Sequence, residues 1–478
     1  MQILGHIIWI AFRENLVGFR KRMTTSTYNY RTLLKSHLIA LVIVFASGGC
    51  LAQPTSKSSV PVKVEVRQDA GQWHLYVDQK PFFINGAGGE GSLSKLKEAG
   101  GNSVRTWGID RLQTVLDEAQ QHGIKVCAGI WFHHEHDAEG FDYSKPEMVK
   151  DQLQQVRQAV LRFKDHPALL LWGLGNEMEG ESGDKVEIWK AVQEAAKLTK
   201  ELDRNHPTMT VIAEIGGRKV EGINKYCPDI DIVGINSYGG GPSVAERYAK
   251  LNGNKPYIIT EFGPPGFWEV GKTSWGAPIE PTSNEKAEAY RRAYLGSVYQ
   301  KPLCLGSYAF LWGNKQERTA TWFGMFLPDG VKVNTVDTMT ELWSGKLPLA
   351  ACPVIKELKA EGATQLQPKQ TLKIQLAATD PAQKPLRVRW VVQPEQTKTY
   401  TAGREELVLA EIQAAIIHSD ETGCEIMAPS ELGGYRVFAY VHSASGASVG
   451  NIPFHVASPP QQVSQDTLKV QPVASKKQ

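Results

Sequence analysis

Between residues 61 and 348 the chain alternates short, continuously apolar runs with amphipathic segments, and this rhythm constrains the fold more than any other feature. The apolar runs are PFFINGAGG, NSVRTWG, KVCAGIWF, ALLLWGLGNE, TMTVIAEI, DIVGINSYGG, PYIITEFG and LGSYAFLWG. Segments such as RLQTVLDEAQQHG, MVKDQLQQVRQAVLRFK and VEIWKAVQEAAKLTKELD lie between them and carry apolar residues at helical spacing. A run that is apolar on both faces must be covered on both faces, as strands of a parallel sheet are when helices flank them. Eight strand–helix units predict an α/β fold, a closed (β/α)8 TIM barrel. An open, doubly wound sheet is the alternative. It fits less well, because no GxGxxG follows the first run and polar residues gather at the ends of many runs.

The flanks read differently. VKVEVRQ and WHLYVDQ predict a β-hairpin turning at Ala70 and Gly71, ahead of the first barrel strand and within the same domain. From 349 to 458 the helical rhythm stops. TLKIQLAATD, LRVRWVVQ and YRVFAYVHSASGASVGNIPFHV read as strands of a small all-β, immunoglobulin-like sandwich. It shows no evident aromatic platform, which favours a structural role over sugar binding. Residues 459–478 are polar and predict a disordered tail.

Residues 1–50 read as a leader, with Met23 an alternative start, and 51–60 as a linker. Arg31 and Lys35 precede LIALVIVFASGGC, an apolar run too short to span a bilayer but suited to a signal-peptide core. The small residues before Cys50 resemble a lipobox, although Ser47 stands where such boxes usually carry Leu. Cys50 is thus the expected lipidation site, and the protein is expected outside the cytoplasm as an outer-membrane lipoprotein or in the periplasm. A cleaved, secreted form and a retained anchor are the alternatives. The leader also explains the formal charge of +3. It holds six Lys or Arg against one acid, so the remainder has 47 basic and 49 acidic residues and offers no field for nucleic acid. The other cysteines (Cys127, Cys227, Cys304, Cys352 and Cys424) are scattered, without the paired spacing of a zinc site.

In a β/α barrel the chemistry gathers at the C-terminal ends of the strands. The second run brings Arg105 and Trp107 there, and the third brings Trp131, His133 and His134. The fourth brings Asn176 and Glu177, the sixth Asn236 and Tyr238, the seventh Glu261 and the eighth Trp312. Two glutamates across one barrel mouth suit glycosidic bond cleavage. One protonates the leaving oxygen and the other attacks the anomeric carbon; a separation of about 5–5.5 Å gives retention through a covalent glycosyl-enzyme. Arg105 and Tyr238 would stabilise the attacking carboxylate, and an apolar wall would hold the proton on the acid. Trp312 offers a flat face to a sugar ring. The stretch His133–Asp137, HHEHD, matches no specific metal motif and reads as a sugar-contacting or solvated loop. Glu90 and Glu214 are auxiliary polar candidates. Met178, Glu179 and Glu181 belong to the loop after the fourth run.

The phrases HPALLLWGLGNE, NSVRTWG and KPYIITEFG resemble clan A of the retaining glycoside hydrolases. They are most similar to the family-two catalytic barrel of β-galactosidases, β-glucuronidases and β-mannosidases, over roughly residues 80 to 345. The resemblance implies that Glu177 is the acid/base and Glu261 the nucleophile. It implies also that Asn176 binds the sugar 2-hydroxyl, that Arg105 and Tyr238 brace the nucleophile, and that Trp312 floors the subsite. The chain departs from the family by lacking the sandwich domains that usually precede the barrel, and FLWGNKQER lacks the acid often found after that tryptophan. The reading is a retaining β-glycosidase that needs no cofactor or metal, takes a carbohydrate substrate and meets a membrane only through its lipid. A β-glucan transglycosylase and an inactive carbohydrate-binding lipoprotein are the alternatives.

Overall fold

The computed structural model of the protein describes residues 62–134, 140–180, 182–398 and 406–458. The leader, the linker, the tail, Cys50, Glu181 and the end of the HHEHD stretch lie outside these.

Eight parallel strands close into a barrel: β4 (Ile84–Gly88), β5 (Ser103–Arg105), β6 (Lys125–Ile130), β7 (Leu169–Leu174), β8 (Thr208–Ala213), β9 (Ile232–Asn236), β10 (Tyr257–Phe262) and β11 (Cys304–Phe310). Helices follow every strand: α1 (Leu93–Glu98), α2 (Leu112–His122), α3 (Pro146–Phe163), α4 (Val186–Leu202), α5 (Lys219–Tyr226), α6 (Val244–Lys250), α7 (Ser283–Ser297) and α8 (Asn334–Ser344). Thr282 and Glu285 form a reciprocal capping box that starts α7, the side chain of each satisfying a backbone N–H of the other. Leu112, Leu116 and Ala119 on α2 face inward, as do Val156, Ala159, Val160 and Phe163 on α3, and they pack in the main core with Val104, Val126 and Leu169.

One end of the barrel is sealed. β1 (Val64–Asp69), β2 (Gln72–Val77) and β3 (Lys80–Phe82) make an antiparallel sheet whose first turn is at Ala70 and Gly71. Its Val64 and Leu75 join a cluster with Ile84, Cys127, Leu171, Met209, Ile232, Ile258 and Leu305 from inside the barrel. Chemistry is left the opposite mouth, where the strands end.

Beyond the barrel, two four-stranded sheets pack face to face. One has the order β12 (Val354–Glu361), β14 (Thr371–Thr379), β17 (Gly423–Met427), β16 (Ile416–Ser419). The other runs β13 (Gln365–Leu366), β19 (Gly446–Val456), β18 (Gly433–Ser443), β15 (Arg387–Pro394). Leu372, Ile374, Trp390, Val437, Val441 and Phe454 fill the space between them. The five cysteines among the described residues are buried free thiols. No described helix is long and apolar enough to cross a membrane.

Candidate active site

The apolar run of β7 ends in Gly175, Asn176 and Glu177, and the local backbone explains the glycine. Gly175 has φ +77°, and a Cβ there would stand 2.1 Å from the Met178 sulfur. Glu177 itself has φ +55°, a conformation that costs a non-glycine residue and recurs where a side chain must be aimed. Its backbone N–H donates to the Val211 carbonyl at 2.9 Å, tying the turn to β8.

Glu261, near the end of β10, is buried with 6% of its surface exposed, and donors hold both of its oxygens. Arg105 Nη1 and Trp107 Nε1 each donate to Oε1 at 2.8 Å. Tyr238 donates its hydroxyl to Oε2 at 2.8 Å. Burial, with the charges of Glu261 and Glu177, pushes the Tyr238 phenol well above its ordinary range, so it remains a donor. Arg105, only 2% exposed, also donates to Asn176 Oδ1 at 2.7 Å and to the Thr260 carbonyl at 3.1 Å. A fixed guanidinium fork of this kind orients two partners at once.

Glu177 occupies a different environment. Burial, followed by the charge of Glu261, pushes its carboxyl up to about 7. Asn236 donates to Glu177 Oε1 at 2.6 Å and to Asn176 Oδ1 at 3.2 Å, and accepts from Thr260 Oγ1 at 2.8 Å. The two glutamates therefore belong to one network that runs through Arg105, Asn176 and Asn236. One carboxylate is braced by a cation and two further donors, while burial and the neighbouring charge favour the protonated form of the other.

The site opens into a cleft of about 1730 Å³, lined by Glu177, Glu261, Trp107, Trp131, His134, Asn176, Asn236, Tyr238, Trp268 and Phe310, among others. His134 Nε2 lies 2.8 Å from the Asn176 carbonyl and so carries the proton, and its ring stacks on Trp131. Glu90 pairs with Arg111 and Glu214 with Arg247 (2.8 Å), both at the cleft wall. Glu179 lies deeper, paired with Lys219 at 3.2 Å, and fastens the loop after β7 to α5. Among the described residues no cluster of His, Cys, Asp and Glu is arranged to hold a metal ion.

Two expectations need correction. Trp312 is wholly buried, its N–H donated to the Ser92 carbonyl and its ring packed on Phe326 and Trp343. It cannot floor a sugar site. β11 ends at Phe310, which lines the cleft beside Trp107 and Tyr238, whereas the backbone of Trp312 is bonded back to Gly88 and Gly91. His133 stacks on Phe141 at 4.8 Å between ring centroids and is not among the residues lining the cleft. Arg105 donates to Glu261, and Asn236 donates to Glu177 while lining the cleft. The sequence reading missed Phe310 and Trp268; an aromatic at a strand terminus, and one in a Gly- and Pro-bounded loop after Glu261, were the available signals.

An eight-stranded β/α barrel with two unlike carboxylates at its open mouth defines the class of the protein. Residues 96–297 match the family model described as "Glycosyl hydrolases family 2, TIM barrel domain". The match runs from α1 to α7, so most of the barrel is similar to the catalytic domain of that family. The chain is 33% identical over 212 residues to mannan endo-1,4-beta-mannosidase F of Aspergillus clavatus, covering 35% of this chain and 47% of that protein. It is 27% identical over 177 residues to a beta-galactosidase of Priestia megaterium, covering 35% of this chain and 15% of that one. The chain thus spans about half the length of the first relative and less of the second. A beta-D-glucuronidase structure from Dictyoglomus thermophilum superposes with a TM-score of 0.47 at 20% identity, covering 60% of this chain and 54% of that one.

Proposed function

We propose that the protein hydrolyses β-linked glycosides or polysaccharides with retention of configuration, by double displacement. Glu261 Oε2 or Oε1 attacks the anomeric carbon as Glu177 delivers its proton to the departing oxygen. Water, deprotonated by the same Glu177, then releases the sugar from Glu261. The single observation carrying this reading is the divergence of the two carboxylates, Glu261 clasped by Arg105, Trp107 and Tyr238 and Glu177 raised to about 7. The family match supports the reaction class. The mannosidase and the galactosidase differ in the sugar they are named for and share the β-linkage.

The test is chemical rescue. Glu261→Ala is expected to lose turnover of aryl β-glycosides by several orders of magnitude, and azide to restore part of it with an α-glycosyl azide as product. Full activity without azide refutes the nucleophile. Product analysis on oligosaccharides separates water from a second sugar as acceptor, and hence hydrolase from transglycosylase.

The same proposal places the protein outside the cytoplasm, anchored through a lipid on Cys50, on the strength of the apolar run and small residues that precede it. Cys50→Ser is expected to move the protein from the membrane to the soluble fraction; an unchanged membrane fraction refutes the anchor.

A further inference from the structure

Trp268 is 53% exposed, although a tryptophan side chain is among the costliest to leave in water. It stands on the cleft wall in the loop after β10, edge to face with Tyr238 at 5.8 Å between ring centroids. Tyr238 is the residue whose hydroxyl holds Glu261. The loop that presents Trp268 is built for the purpose. Glu269 Oε2 accepts the Gly266 N–H at 2.7 Å and the Gly239 N–H at 3.0 Å, joining the loop to the end of β9. The Glu269 N–H donates in turn to the Gly266 carbonyl at 2.9 Å. A Cβ on Gly266 would stand 2.4 Å from the indole ring. The indole is therefore held in place while much of its surface remains open to solvent, as suits a preorganised binding surface.

A second aromatic stands opposite. Trp131 follows β6, and in the strand order β10-β11-β4-β5-β6-β7-β8-β9 the strands β6 and β10 lie diametrically across the barrel. Trp131 stacks on His134, which is bonded to the carbonyl next to Glu177. One tryptophan thus flanks the acid side of the pair and the other the nucleophile side. A cleft of about 1730 Å³ exceeds the roughly 300–1,000 Å³ of a typical small-molecule pocket. Indole faces bind the C–H faces of pyranose rings by apolar contact.

We propose that Trp268 is a sugar-stacking platform outside the cleavage subsite. Together with Trp131 on the opposite rim, it lets a β-linked polysaccharide pass through the site and be cut at internal bonds. This rests on the glycosidase reading above. The binding experiment uses titration calorimetry of a Glu177→Gln background with β-1,4-mannan, β-1,4-glucan and β-1,3-glucan oligosaccharides, from disaccharide to hexasaccharide. In one series affinity should rise with length. Adding Trp268→Ala should weaken the hexasaccharide about tenfold and the disaccharide much less, and Trp268→Phe should recover most of the loss. Affinity independent of length, an equal loss at all lengths, or binding to none of the three series overturns the platform. The unmodified enzyme should release a spread of oligosaccharides from the matching polymer with an early fall in viscosity; monosaccharides alone overturn internal cleavage. Failure to cleave any β-glycoside, aryl glycosides included, refutes the glycosidase reading itself, whereas the calorimetry reads the platform independently of turnover.

Discussion

The chemistry of Glu177 depends on where its proton sits. Its carboxyl moves from 4.5 to about 7, first through burial and then through the charge of Glu261. As the proposed acid it must be protonated, so turnover should fall as pH rises through about 7. The same shift acts on folding. Between about 4.5 and 7 the folded chain keeps a proton that the unfolded chain has released, so this group's contribution to stability is full below 4.5 and is lost as pH rises to 7. The loss is on the order of 3 kcal/mol. Glu261→Gln should therefore lower the Glu177 pKa, read by carbon-13 NMR titration of labelled glutamate, and Glu177→Gln should flatten the decline in unfolding free energy between pH 4.5 and 7. A Glu177 pKa unmoved by Glu261→Gln would show that the two carboxylates do not interact. Both glutamates were legible in the sequence because an apolar strand that ends in a carboxylate is an expensive arrangement without a purpose. Arg105 and Tyr238 were expected beside one of them, whereas the bonds from Trp107 to Glu261 and from Asn236 to Glu177 were not, since these depend on side chains arriving from other strands.

At the scale of the element, β11 is where sequence reading went astray. LGSYAFLWG offers both Phe310 and Trp312 near a strand end, and tryptophan is the obvious choice for a sugar floor. The strand ends at Phe310, and Trp312 turns inward onto Phe326 and Trp343 with its N–H on Ser92. Two residues of strand place side chains on the same face, so the pattern alone cannot separate them; the bend after Phe310 does. Trp312→Ala should cost about 3–5 kcal/mol in denaturant unfolding, as loss of a buried indole does, while Trp312→Phe should lower Tm and leave KM for aryl β-glycosides unchanged. A raised KM with unaltered stability would return Trp312 to the cleft. The element boundaries that read correctly, such as the turn at Ala70 and Gly71 and the helix α2, are those where local turn chemistry and periodicity agree.

Across the whole molecule, the barrel and the sandwich share a buried polar junction. Glu395 of the sandwich accepts from Arg436 Nη2 at 3.0 Å and from Arg318 Nη2 at 3.1 Å, and Arg318 lies in the barrel loop after β11. Glu280 beside α7 accepts from Lys286 at 2.5 Å and from Asn451 of β19 at 2.7 Å. Leu327 and Val333 from the barrel pack with Val391, Phe438 and Val449 from the sandwich. The loop held by this junction supplies Lys315 and Glu317 to the cleft wall, and Val408 of the sandwich reaches the same wall. Glu395→Ala leaves Arg436 buried with its partner gone and should cost about 3–5 kcal/mol, read by denaturant unfolding. A change within experimental error would mean that water replaces the carboxylate. The amino-acid order by itself determined the local, periodic properties: eight apolar strands, their flanking helices, a β-rich C-terminal module, and two glutamates at strand ends. Strands and helices are written in short apolar runs and in a spacing of nearly four residues, which are legible without knowledge of distant neighbours. Only the tertiary structure decided which donors each glutamate meets, which aromatic faces the cleft and which is core, and how the sandwich meets the cleft wall. Each of these depends on residues far apart in sequence and on the desolvation that their meeting imposes.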